Sequence, residues 1–396
     1  MKPSQLSLTR YVGAPTLHPS GENAVVAVRR IDLENDEYPS QLWLVPTDDT
    51  GGSAGSSSPA AGPRQLTFGG RDAAPAYSPD GKSLAFLRSQ KDSSGKPGKA
   101  QLWVMPTSGG EARRVTDNPL GVESIVWSGD STRIAYLARV PEDGRYGTVE
   151  GNGADKEAPR RITKFSFYRD GMGYLLDRPR HIWVTDVADE AATPVQITSG
   201  DIDHGDVHWN ALGDLLTFTA AGHDARNDDL RNDVWVCAAD GSGRRALTTG
   251  GLSVGSPRFS PDGQTVYFAG SPVGPDARHG VGRNDSLWSV PVDGSGEPVR
   301  RTDEEIYHLS TDLFVGDDGI LFTNENRGAV DLLLAPFDGG PLQPLLQGPR
   351  QIQAASMIST PSGPLVVASF ADGQTWGDVL VREWDGEERV LTDFSA

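Results

Sequence analysis

A chain of 396 residues with 36 Lys and Arg against 54 Asp and Glu carries a net charge of −18, and plain repulsion disfavours nucleic acid and anionic membranes as partners. The single cysteine, Cys237, excludes an intramolecular disulfide and fits a reducing compartment, so a cytoplasmic setting is expected. The opening Met1 to Arg10 lacks the apolar core of a signal segment, and no stretch is long enough to span a bilayer.

In chain order, residues 1–14 precede the first repeat and are expected to add a short strand or helix to it. The repeat is clearest at Ala76-Tyr77-Ser78-Pro79-Asp80-Gly81, a tight turn followed by the apolar run Ser83 to Leu87, then Leu102-Trp103-Val104 and Val115-Thr116. Proline presets φ, aspartate bonds back to nearby backbone and glycine accepts a positive φ, so the turn closes a hairpin and the Trp-bearing run adds a third strand. Leu17 to Gly21 opens an earlier copy, with Ala24–Val28, Gln41–Pro46 and Leu66-Thr67. Later copies start at Trp127, Trp209, Ser260, Asp317 and Pro361, and Leu333 stands where five of the units have Trp43, Trp103, Trp183, Trp235 or Trp288.

Seven units at a period of about forty to fifty residues match a four-stranded propeller blade. The expected fold is therefore all-β, a seven-bladed β-propeller of four-stranded antiparallel blades, with residues 1–396 as one domain. Three interruptions stand out. Residues 47–63 form a Gly/Ser-rich loop in the first blade, and Ser89 to Lys99 is a polar loop in the second. An insertion at 141–181 interrupts the third, and a long insertion on a repeat scaffold is the natural carrier of function.

Several segments make the chain recognisable. Leu8-Thr9-Arg10-Tyr11-Val12 with Pro15 to Gly21, Arg71 to Gly81, Arg161 to Phe165 and Arg178-Pro179-Arg180-His181-Ile182-Trp183 resemble the prolyl oligopeptidase family of serine peptidases, in its acylaminoacyl-peptidase and dipeptidyl-peptidase-like branch. The resemblance covers essentially the whole chain. It implies a non-catalytic propeller that restricts access for short peptide substrates, helps bind them, and caps a C-terminal α/β-hydrolase domain in cis. That hydrolase is not in the sequence. The one Gly-x-Ser-x-Gly match, Gly51 to Gly55 around Ser53, lies in the Gly/Ser loop, without the strand and helix that a nucleophile elbow needs. The chain is expected to be a propeller without its catalytic partner, inactive alone, with no catalytic residue and no cofactor.

Other clusters were weighed by their chemistry. His204, Asp206 and His208 alternate, which in an extended strand puts all three on one face, a donor set suited to a divalent ion. Polar caps at a blade entry look the same, and no metal is assigned. Glu304-Glu305 is similar to the paired glutamates of dipeptidyl-peptidase relatives, but its place after a blade-ending Arg301-Thr302 favours a solvated turn. The recurring tryptophans read as packing between blades. Arg169, Arg178, Arg180 and His181 are the substrate-binding candidates, because a guanidinium fork matches a peptide carboxylate or carbonyl. Asp170 and Asp177 offer the competing reading, in which ion pairs pin the insertion. Two other classes stand beside the peptidase propeller: a free-standing TolB-like propeller acting as an interaction scaffold, and an enzyme using its own channel.

Overall fold

The structure, a computed structural model, describes residues 3–48, 62–91, 95, 97–149, 153–164, 166–170, 172–310, 313–384 and 386–395. Among them the regular elements are β-strands and two short 3-10 turns, Pro3–Leu8 and Ala154–Lys156, with no α-helix. Most of the loop at 47–63, including Ser53, lies outside the described residues.

Two local devices convert the repeat into strands. In the turn, Ser78 Oγ donates to Asp80 at 2.6 Å and accepts the N–H of Ser83 at 3.0 Å. Ser128 with Asp130 and Ser260 with Asp262 repeat this bond at 2.5 Å. Asn210 substitutes for the serine in the fourth copy, accepting from Leu215 N–H at 3.0 Å and donating to Asp214 at 2.6 Å. The third copy has Gly129 in the proline position for a steric reason: a Cβ there would sit 2.0 Å from the Ala211 carbonyl oxygen.

The second device explains the unit-ending threonines. Thr67, Thr198, Thr248, Thr302 and Thr392 are buried, and each hydroxyl accepts the backbone N–H of the residue before the tryptophan position (Leu42, Ile182, Val234, Leu287 and Val379) at 2.9–3.1 Å. Thr248 passes its own proton to Asp233 and Thr392 to Asp378, at 2.8 and 2.6 Å. A buried backbone donor is thereby satisfied where the outermost strand is only two residues long in most copies.

The chain divides into two compact units. The first comprises Met1–Gly98, Leu102–Arg114 and Tyr307–Ala396. Its nine-stranded sheet is two antiparallel meanders joined by one parallel bridge, Ser40↔Arg71. Arg10–Val12 and Thr16–Leu17 both pair with Asn23–Arg30, as an interrupted first strand. Its eight-stranded sheet is likewise two meanders, joined at Val330↔Gln351. Glu388–Val390 pairs with Asp378–Arg382, and among the described residues no N-terminal strand enters that sheet. The first and last repeats meet through side chains instead: Val12, Leu17, Val26 and Val45 pack with Val367, Val379 and Val381. Trp43 meets Phe394 edge-on at 5.3 Å, and Leu17 N–H donates to Ser356 Oγ at 3.2 Å.

The second unit, Lys99–Gln101 with Val115–Ile306, holds three four-stranded antiparallel sheets and one small hairpin. Its core lies between successive sheets, with Ala135, Leu137, Ile182 and Val184 against Val207, Trp209, Leu216 and Phe218. Each large apolar side chain so buried contributes about 1.5–3 kcal/mol. The tryptophans have a further role beyond packing between repeats. Trp183, Trp235 and Trp288 stack on Tyr136, Phe218 and Phe268 of the adjacent strand in their own sheet, 6.3–6.5 Å apart and within 13° of parallel.

Candidate functional site

The insertion leaves the third repeat after Arg133–Arg139 and returns at Arg180–Asp186. Those strands pair Arg139↔Arg180 and Ala138↔His181, so the inserted segment spans 140–179. Arg180 and His181 thus belong to the sheet itself rather than to the insertion, because their backbones complete its ladder.

What holds the insertion is a set of buried ion pairs. Asp177 Oδ2 receives Arg145 at 2.9 Å and Arg160 at 2.5 Å, and its Oδ1 receives Arg178 at 3.0 Å. Glu157 receives Arg160 at 2.5 Å, Arg178 at 2.7 Å and the backbone N–H of Tyr146 at 2.7 Å. Burial opposes the charge on Glu157, but these donors outweigh it and hold the carboxyl at about 2. The arrangement supplies a segment that has little apolar core of its own with a fixed attachment.

On this base stands a hairpin, Tyr168–Arg169 paired with Gly173–Tyr174. The Arg160 guanidinium lies 4.2 Å from the Tyr174 ring centre and so couples anchor to hairpin. Tyr168 meets Tyr174 edge-on at 5.4 Å, yet both remain exposed, at 52% and 38%. Met172 and Arg169 are exposed beside them. The Arg169 guanidinium has no ion-pair or hydrogen-bond partner among the described residues.

The four sequence candidates therefore part company. Arg169 is the exposed one. Arg178 is 7% exposed and spent on Glu157 and Asp177, the pinned arrangement of the two left open by the sequence. Arg180 is half-buried, pairs with Glu123 at 3.1 Å and donates to the His204 carbonyl at 2.7 Å. His181 is buried with its ring 5.3 Å from that of His204, and burial pushes its pKa below the ordinary value. Sequence reasoning missed Tyr168, Met172 and Tyr174 as surface features, although an aromatic-rich run inside a polar loop is a visible signal.

The alternation of His204, Asp206 and His208 does not survive folding. The strand carries a bulge between Gly205 and His208, and Asp206 takes φ +50° there. Asp206 turns out to solvent and accepts from Thr219 Oγ1 at 3.1 Å, so the three side chains do not share a face. The same bulge recurs at Ala74 (φ +49°) and Ser256 (φ +51°), which makes it a property of the repeat. No group of three or more His, Cys, Asp or Glu side chains placed to hold a metal occurs among the described residues. Glu304 pairs with Arg300 at 2.8 Å in a turn. Cys237 is buried, which pushes its thiol up to about 12 and leaves it unreactive.

No family model matches the chain. The uncharacterized peptidase YuxL of Bacillus subtilis is 30% identical over 223 residues, 56% of this chain and 31% of that protein. The acylaminoacyl peptidase of Pyrococcus horikoshii superposes with a TM-score of 0.70 at 19% identity, over 98% of this chain and 53% of that one. The β-propeller domain of the Trilobed protease from Pyrococcus furiosus, described as having an open velcro topology, gives 0.65 at 15% identity over 98% of this chain and 96% of that domain. The fold is a β-propeller, shared with both solved structures. This chain spans about half the length of the solved peptidase, and its matched part covers about a third of the curated relative.

Proposed function

We propose that the chain is a seven-bladed propeller serving a cytoplasmic serine peptidase, where it gates and helps bind short peptides for a C-terminal α/β-hydrolase domain in cis. The observation that carries this reading is the superposition of 98% of the chain on 53% of an acylaminoacyl peptidase. The anchored hairpin is the element best suited to meet a peptide: Arg169 offers an unspent fork for a carboxylate or carbonyl, and Tyr168 and Tyr174 offer apolar faces. Catalysis is assigned elsewhere, because hydrolysis needs an activated nucleophile, a base and oxyanion donors held together. The buried thiol of Cys237 does not meet that need.

A fluorophosphonate probe tests the assignment. The purified 396-residue chain stays unlabelled, while a longer protein that continues into a hydrolase domain labels and cleaves short peptides. Stoichiometric labelling of the short chain, abolished by Ser53→Ala, overturns the reading.

A further inference from the structure

The first unit contains a cleft of about 310 Å³ between two hairpin loops. Glu37 and Pro39 come from the loop before Ser40–Pro46, and Lys91 and Pro97 from the loop after Ser83–Ser89. Gly69, Gly70 and Arg71 line it where the chain enters the second repeat. Gly70 has φ +81°, and a Cβ on it would come within 2.8 Å of the Ser89 carbonyl oxygen, so only glycine lets the chain pass so close to the neighbouring strand.

The described cations around this cleft are not equally engaged. Arg88 is committed: it bonds Asp72 through two nitrogens at 2.7 and 2.9 Å and lies 4.9 and 5.2 Å from the Phe86 and Trp103 ring centres. Asp72 is fully buried and is spent on that pair. Lys91 meets Glu37 at 2.8 Å across the two loops, but its side chain is 57% exposed, so solvent leaves the pair weak. Arg71 has no ion-pair or hydrogen-bond partner for its guanidinium among the described residues. Among the described residues, Arg88 is thus matched by the Asp72 behind it and Lys91 by Glu37, while the Arg71 guanidinium at the same cleft is matched by neither.

Size and walls narrow the occupant. The volume suits one or two residues of a peptide rather than a folded surface. Two prolines contribute apolar walls, and Tyr38 and Phe68, each preceding a lining residue in the chain, are exposed at 51% and 81%. We propose that this cleft binds the free carboxylate of a short peptide, with the carboxylate on Arg71 and the terminal residue between Pro39 and Pro97. The site shares no residue with the hairpin at 168–174 and does not depend on the peptidase reading.

Calorimetric titration of the 396-residue chain with N-acetyl-trialanine, its C-terminal amide and inorganic phosphate tests it. The acid binds; the amide, and the acid on Arg71→Gln, each bind about tenfold or more weakly, as loss of a charged bidentate contact requires. Lys91→Gln weakens the acid less, and an unchanged melting temperature for Arg71→Gln shows that the fold is intact. Equal binding of acid and amide, full affinity in Arg71→Gln, or phosphate saturating the site below the peptide's concentration overturns the proposal. Because the readout is binding to the propeller alone, a failed fluorophosphonate test leaves this result untouched.

Discussion

The insertion at 140–179 and the strand His204–Trp209 both bury ionisable groups, and they do so by opposite means. In the insertion, Glu157 keeps its charge because two arginines and a backbone N–H surround it, and Asp177 shares those arginines. On the strand, His204 gives its charge up: burial lowers its pKa to about 4, and its ring packs 5.5 Å from that of Phe218. The difference follows from what each region has available. A sheet flanked by apolar neighbours can shelter a neutral imidazole cheaply, whereas a polar loop without such neighbours must be tied by paired charges.

Removing one charge from the anchor should have the largest effect. Glu157→Gln leaves Arg178 with a single carboxylate partner and takes one from Arg160. Breaking a buried pair in this way costs about 3–5 kcal/mol. The cost falls on the insertion, so limited proteolysis should cut within 140–179 while the far-UV spectrum keeps its β signature. A combined Glu157→Gln and Arg178→Met variant should recover part of the loss, since it no longer buries a guanidinium with one of its two carboxylates gone. An insertion as protease-resistant as before in Glu157→Gln would mean that the ion pairs are not what holds it.

How much of this was readable beforehand depends on how local the cause is. The Ser78–Asp80 bond spans two residues, so the turn, the hairpin and the repeat were legible from the residues alone. The unit-ending threonines were visible as a period, but their partners lie 13 to 25 residues away and only folding reveals the hydroxyl bridge. Asp206 misled because a non-glycine residue at positive φ leaves no mark in sequence, and the bulge turns it off the face of His204. Arg178 was undecidable for a similar reason. Its nearest visible carboxylate, Asp177, explains half the anchor, and Glu157, 21 residues earlier, supplies the rest.

Acid should act on the two regions in different pH windows. For His204 the folded pKa of about 4 lies below the ordinary 6.5, so the unfolded chain takes its proton first. Stability is therefore fully present above pH 6.5 and declines as pH falls toward 4, with the buried His181 shifted in the same direction. Glu157 is also held low, at about 2 against an ordinary 4.5, so its contribution is lost only as pH falls from 4.5 toward 2. Thermal melting should lose ground between pH 6.5 and 4, and His204→Gln should flatten that slope. Protease opening of the insertion should begin below it. A melting temperature constant from pH 6.5 to 4 would contradict the neutral-histidine account.

The smallest expected effect on stability belongs to Arg169→Ala. Its guanidinium is exposed and has no ion-pair or hydrogen-bond partner among the described residues, so the change should stay within about 0.5 kcal/mol. Arg178→Ala, nine residues on, should by contrast lower the melting temperature, because Glu157 and Asp177 each lose one of the buried cations that hold them. In the longer peptidase the order should reverse. If Arg169 contributes uniform binding to a peptide, its loss raises KM several-fold and leaves kcat nearly unchanged, on the logic that separates ground-state from transition-state contacts. Arg178→Ala, measured where the protein is still folded, should alter KM only as far as the hairpin loses its footing. Arg169→Ala with unchanged KM for every short peptide would remove Arg169 from the substrate path and leave the hairpin's exposed tyrosines, 168 and 174, to account for any binding there.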